Sequence, residues 1–251
     1  MIRAVVFDLD GTLVETEVLK ARSYAEAAVA LRPDLDPRAV EAAYTELVGR
    51  SREEVVDALV RRFSLADAAA ARARELGAAT PQEAFAVLRT RIYERMIEDP
   101  SLIRAQAYPE AIELLRRVRA GGFSTALATM SYRHQVTAIL DALGIADRFD
   151  AIATRDDVAR PKPDPEIYRL VVARLGLAPG ECLAIEDSLP GIQSALAGGL
   201  DCVSSTSPLT RAAVHAAGIL PPDRIVDDPA RLRTTVVGIL EPPARARRTG
   251  T

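Results

Sequence analysis

VVFDLDGTLVETE, residues 5–17, passes in one step from an apolar run to two acids, Asp8 and Asp10, and then to Gly11. The Val-Val-Phe run within residues 2–8 suits a short strand buried on both faces of a sheet. A strand that merely stops in solvent can end on any polar residue. Two carboxylates at one strand end repel each other unless a cation is shared between them. The stretch therefore points to a metal, to chemistry, or to both, with Gly11 marking the turn that follows.

Working outward, residues from about 15 to about 98 turn Ala-rich and helical. Asp36-Pro37 reads as an N-cap followed by a first-turn proline. Ser51-Arg-Glu-Glu54 and Thr80-Pro-Gln-Glu83 each fit a capping box. No strand-like stretch interrupts this block, which reads as a small helical bundle. After Pro100 the pattern alternates. Helices near 108–120, 132–143, 165–175 and 189–197 separate strands at Phe123–Thr129, Phe149–Ala153, Cys182–Ile185 and Asp201–Ser204. Such alternation implies right-handed crossovers and a parallel sheet. The expected fold class is α/β, a Rossmann-like parallel sheet core with an inserted helical domain. Residues 1–14 and 100–240 form the core, 15–99 the insertion, and 241–251, EPPARARRTGT, a disordered tail.

Composition narrows the function. The chain has 251 residues, a formal charge of −3, 4% aromatics and no Trp. That balance excludes the basic face and stacking platforms of a nucleic-acid binder, and leaves a small molecule as the expected partner. No run approaches the roughly 20 apolar residues that span a bilayer, so no membrane partner is expected. Cys182 and Cys202 each sit in an apolar run, as reduced thiols do in a cytoplasmic protein. The Ala-rich helices are compatible with a monomer or a homodimer.

Ligands of open parallel sheets sit outside the carboxyl ends of the strands. Here those ends deliver Asp8-Leu-Asp10-Gly11-Thr12, Ala128-Thr129-Met130-Ser131, the loop Arg160-Pro-Lys162-Pro163, and Glu186-Asp187-Ser188. A phosphoryl group in transfer spreads negative charge over its oxygens and needs cations and donors around it. Asp8 and Asp187 can hold Mg²⁺, Lys162 can neutralise phosphate, and Thr129 can donate to it. Asp8 can also attack phosphorus, with Asp10 protonating the leaving oxygen and then activating water.

These four ordered segments resemble the motifs of the haloacid dehalogenase-like superfamily, over about residues 2–240. The helical insertion just after the first motif resembles its phosphoglycolate phosphatase and β-phosphoglucomutase branch. The resemblance implies that Asp8 is a nucleophile and that Asp10 is an acid/base lending its carbonyl to Mg²⁺. It implies that Thr129, Met130 and Lys162 bind the phosphoryl group, and that Asp187 and Glu186 complete the magnesium site. The helical block would be a cap that excludes water and selects substrate. GRSREE, residues 49–54, is similar to the branch's specificity loop, which makes Arg52 a substrate candidate, with Lys20 a second.

The expected function is a Mg²⁺-dependent phosphatase acting on a small phosphorylated metabolite through an aspartyl-phosphate on Asp8. A phosphomutase is the alternative. It usually carries a His on the first cap helix, where Glu15–Tyr24 has Lys20 and no His. Asp10 speaks against phosphonatases and against dehalogenases that attack carbon. A non-catalytic binding protein on the same scaffold is the reading from another class, and the intact set of Asp8, Asp10, Lys162 and Asp187 argues against it. His134 and His215 have no matching nucleophile and read as surface or structural residues, and Asp156-Asp157 as rim acids with a structural role.

Overall fold

The computed structural model describes residues 1–240, so the expected tail lies outside the described residues. The chain opens with strand β1 (Ala4–Phe7), all four residues fully buried. Six helices follow: α1 (Thr16–Leu31), α2 (Pro37–Thr45), α3 (Arg52–Arg62), α4 (Ala66–Leu76), α5 (Pro81–Ile97) and α6 (Pro100–Ala105). Alternation then begins with α7 (Pro109–Ala120), β2 (Ser124–Ala128), α8 (Arg133–Leu143), β3 (Ala151–Ala153) and α9 (Glu166–Leu175). It continues with β4 (Cys182–Glu186), α10 (Leu189–Ala197), β5 (Asp201–Ser205), α11 (Arg211–Ala217), β6 (Ile225–Val226) and α12 (Leu232–Leu240).

Among the described residues the strands form one parallel sheet in the order β3-β2-β1-β4-β5-β6. The α/β Rossmann-like expectation therefore holds. β1 lies between β2 and β4, where the chain reverses its direction of travel across the sheet, the switch point at which such sheets bind ligands. Val6, Ala126, Ala184 and Cys202 share one face, packed under Ile167, Tyr168 and Val171 of α9 and Ile192 and Ala195 of α10. Both cysteines are free and buried.

Among the described residues two compact units emerge: residues 1–14 with 107–240, and Glu15–Gln106. In the second, α1 packs on α2 and α5 around Tyr24, Leu59, Phe85 and Leu88. Its helices start where the sequence places caps. Ser51 and Thr80 accept from the amides of Glu54 and Glu83, whose carboxylates accept from the cap amides in return. Residues 100–105, read from sequence as part of the core segment, form α6 within this helical unit. Asp99 caps α6 and Ile103 is fully buried.

Sequence reading leaves the elements after β5 unassigned, α12 with its nine residues among them; two of them are short. β6 has two residues, too few for any period to register, and α11 has seven. Among the described residues, no helix is long and apolar enough to cross a membrane.

The Thr80 cap yields a direct check. Thr80→Ala is expected to lower stability by about 1 kcal/mol, because the Glu83 amide loses its acceptor. Urea unfolding followed by circular dichroism reads the loss, and an unchanged midpoint would remove the cap from the account.

Candidate active site

The carboxyl ends of β1, β2 and β4 are neighbours in the sheet, and the residues just beyond them form one buried polar cluster. The Asp8 amide donates to Ile185 O at 3.0 Å, and the Thr129 amide to Ala153 O at 3.1 Å, so the ladder runs one residue past each strand. This fixes the backbone of both residues. Gly11 then turns the chain with φ +81°, its amide donating to Val14 O at 2.8 Å.

Lys162 lies in the segment before α9, and the α10 residue Ser194 ties that segment down by donating to Asp164 O at 2.6 Å. Its ammonium reaches three acceptors: Asp8 Oδ1 at 2.7 Å, Ala128 O at 2.9 Å and Glu186 Oε1 at 2.5 Å. The Tyr168 hydroxyl of α9 donates to the same Glu186 oxygen at 2.6 Å. Asp10 is held from the β2 side, where Ser131 Oγ donates at 2.7 Å and Thr129 Oγ1 at 3.3 Å.

Asp8, Glu186 and Asp187 are buried, with ligand oxygens within 4.8 Å of one another. Burial pushes the Asp8 carboxyl up to about 7; Lys162 pulls the other way, while Glu186 and Asp10 add to the rise. Burial likewise raises Asp187 well above the carboxylate range, with Asp8 and Glu186 reinforcing it. For Lys162, burial alone would lower the ammonium, but Asp8 and Glu186 outweigh it and hold it above its usual value. Counting Asp8, Glu186 and Asp187 as ionised against Lys162, and setting Asp10 aside, the three carboxylates leave two negative charges, the complement of one divalent cation.

The residues fit such an ion. All the donors are hard oxygens, the type Mg²⁺ takes. Two glycines make room for them. A Cβ on Gly11 would lie 2.2 Å from Asp187 Oδ2, and one on Gly191 would lie 2.0 Å from Glu186 Oε2. Any larger residue at either position would displace a carboxylate of the cluster.

Asp8, Asp10, Thr129, Lys162, Glu186 and Asp187, all read from sequence, thus come together. Met130 turns its side chain into the core under the sheet and leaves only its backbone for a ligand. Arg52 and Lys20 belong to the helical unit. Lys20 pairs with Glu17 at 2.7 Å, and Arg52 is the first residue of α3. Burial raises the Tyr24 phenol there, while Arg89, Arg52 and Lys20 pull it down, so these cations surround one aromatic patch.

Sequence reading gives Ser131 no role of its own and does not mark Tyr168. Ser131 follows Thr129 by two positions, a spacing that could have marked it. Tyr168 fits the apolar period of α9, which hides its hydroxyl's role. Asp156 and Asp157 are structural, accepting from Arg133 and, for Asp157, also from Arg174 and Thr154. His134 stacks on Tyr132, and His215 pairs with Asp227.

Comparison with known proteins identifies a family. Residues 2–199 match the family described as haloacid dehalogenase-like hydrolase. Protein CbbY of Cereibacter sphaeroides is 33% identical over 235 residues, 92% of this chain and 94% of that protein. Phosphoglycolate phosphatase of Yersinia pseudotuberculosis is 34% identical over 205 residues, 82% of this chain and 81% of that protein. Among solved structures, a mutant CbbY from Rhodobacter sphaeroides in complex with xylulose-(1,5)bisphosphate superposes with a TM-score of 0.65 at 29% identity, covering 92% and 96% of the two chains.

Two outcomes test the cluster. Asp8 is raised from 3.8, so without metal its contribution to stability is present below that value and is lost as pH rises through about 7. A cation bound to the ionised carboxylates offsets that loss. Mg²⁺ should therefore raise the Tm more at about pH 8 than at about pH 5.5; equal shifts would contradict the reading. Gly191→Ala improves helix propensity by up to about 1 kcal/mol yet should weaken Mg²⁺ binding at least ~10-fold, because its Cβ meets Glu186. Calorimetric titration measures it, and wild-type affinity would refute the cradle.

Proposed function

The chain belongs to the haloacid dehalogenase-like hydrolase family, and from that premise we propose that it is a Mg²⁺-dependent phosphatase of a small phosphorylated metabolite. The observation that carries the reading is the Lys162 ammonium seated on Asp8 and Glu186 at the carboxyl end of the central strand. An enzyme that transfers phosphoryl groups needs a nucleophile, a cation and a proton carrier within one site.

In this reading the Asp8 carboxylate attacks phosphorus. An Asp8 Oδ–P bond forms as the ester P–O bond breaks, and Asp10 gives its proton to the departing oxygen. Asp10, now ionised, takes a proton from water. The water oxygen bonds to phosphorus, the Asp8–P bond breaks, and inorganic phosphate leaves. Ser131 and Thr129 hold Asp10 in place by donating to its Oδ2. Lys162 orients Asp8 and offsets the charge on the phosphoryl oxygens, with Thr129 and the Met130 backbone beside it. Bound at Asp8, Glu186 and Asp187, with the Asp10 carbonyl, Mg²⁺ would supply positive charge to the nucleophile and the phosphoryl group.

The helical unit supplies selectivity, and Arg52 and Lys20 are the residues proposed to recognise a second anionic group of the substrate. The names of the relatives support that class, since phosphoglycolate bears a carboxylate and xylulose-(1,5)bisphosphate a second phosphate.

The test is phosphate release from a panel of small phosphomonoesters, with Mg²⁺ or excess chelator. The expected outcome is Mg²⁺-dependent release that falls at least ~1,000-fold in Asp8→Ala. Release that survives the substitution would sink the mechanism. No release, with hexose phosphate isomers interconverting instead, would replace hydrolysis by the mutase reaction.

A further inference from the structure

Lys162 faces a problem of supply. An ammonium has three N–H donors, and here three acceptors lie at 2.5–2.9 Å: Asp8 Oδ1, Ala128 O and Glu186 Oε1. A phosphoryl oxygen can gain a hydrogen bond from Lys162 only if one of these acceptors gives up its donor. Releasing Asp8 would loosen the group proposed to attack. Ala128 O belongs to the backbone at the end of β2 and cannot turn away. Glu186 is fully buried, and a carboxylate oxygen stripped of its donor there carries the full desolvation penalty.

Glu186 Oε1, however, has a second donor, the Tyr168 hydroxyl at 2.6 Å. Tyr168 is itself fully exposed to no solvent, and its ring lies under the ammonium with Nζ 5.1 Å from the ring centroid. The hydroxyl thus stays on Glu186 whichever way Lys162 turns, and the ring face keeps the cation company during the move.

We infer that Tyr168 is a positioning residue that frees Lys162: its hydroxyl keeps Glu186 partnered so that the lysine can exchange Glu186 for a phosphoryl oxygen. The inference rests on the phosphatase reading, in which Lys162 meets the phosphoryl group. It separates two jobs in one cluster. Glu186 Oε1 is held by Lys162 and Tyr168 together before phosphate arrives and by Tyr168 afterwards, while Ser188 Oγ donates to Oε2 at 3.4 Å throughout. Phosphate affinity should depend on the hydroxyl, and metal affinity without phosphate should not.

Tyr168→Phe removes the hydroxyl and keeps the ring. In the folded variant, with its Tm recorded, the dissociation constant for inorganic phosphate in saturating Mg²⁺ should rise about 10-fold, and KM with it. The Mg²⁺ affinity without phosphate should stay within about two-fold of wild type. A merely structural tyrosine would lower the Tm without this split. Unchanged phosphate affinity overturns the inference, as does a Mg²⁺ affinity that falls as far as the phosphate affinity. A wild type that binds no phosphate in Mg²⁺ overturns the phosphatase reading first, and this inference with it. Should the variant not fold, the wild type suffices: the hydroxyl proton of Tyr168, followed by NMR in selectively labelled protein, should shift when phosphate binds. A resonance that stays in place contradicts the exchange.

Discussion

One buried lysine organises this protein. Lys162 is nearly as enclosed as the acids it touches, and its ammonium joins the ends of three strands: Asp8 after β1, Ala128 at the end of β2 and Glu186 at the end of β4. A buried ion pair contributes little net stability, because desolvation of both partners offsets their attraction. The cluster here is further from neutrality than a pair, since one ammonium faces three carboxylates. Such an arrangement is poor for stability and useful for chemistry, and burial and mutual repulsion raise the Asp8 and Asp187 carboxyls within it.

The fold exists around that tension. Parallel pairing places β1 between β2 and β4, so strand ends from distant parts of the chain meet at one edge. The strands are buried on both faces, which holds their ends rigid. Gly11 and Gly191 give up side chains where Asp187 and Glu186 need the space. Ser194 anchors the segment that carries Lys162. Each of these features serves position before stability, as expected when a site needs its groups held within a fraction of an ångström.

Much of this is legible in the residues, for identifiable reasons. Strand ends carrying Asp8, Thr129 and Glu186-Asp187 are marked by an abrupt change from apolar to polar, and helix starts at Asp36, Ser51 and Thr80 by cap chemistry. These signals are local. Ser131 and Tyr168 escape because their roles are not local: each is decided by a partner far along the chain, Asp10 and Glu186 respectively. Tyr168 in particular satisfies the apolar pattern of α9, and only the three-dimensional meeting with β4 gives its hydroxyl a task. The short β6 and α11 escape for another reason, since a few residues cannot display a period. The boundary of the helical unit shifts to Gln106 because α6, capped by Asp99, packs on α5.

The proposed divalent-cation site is the charge left over at Lys162, Asp8, Glu186 and Asp187. Calorimetric titration of Mg²⁺ into the wild type and into Asp187→Asn tests it most directly. One ion per chain is expected in the wild type and no saturable binding in the variant. Binding that persists unchanged in Asp187→Asn, or a wild type that takes up no Mg²⁺, would contradict it.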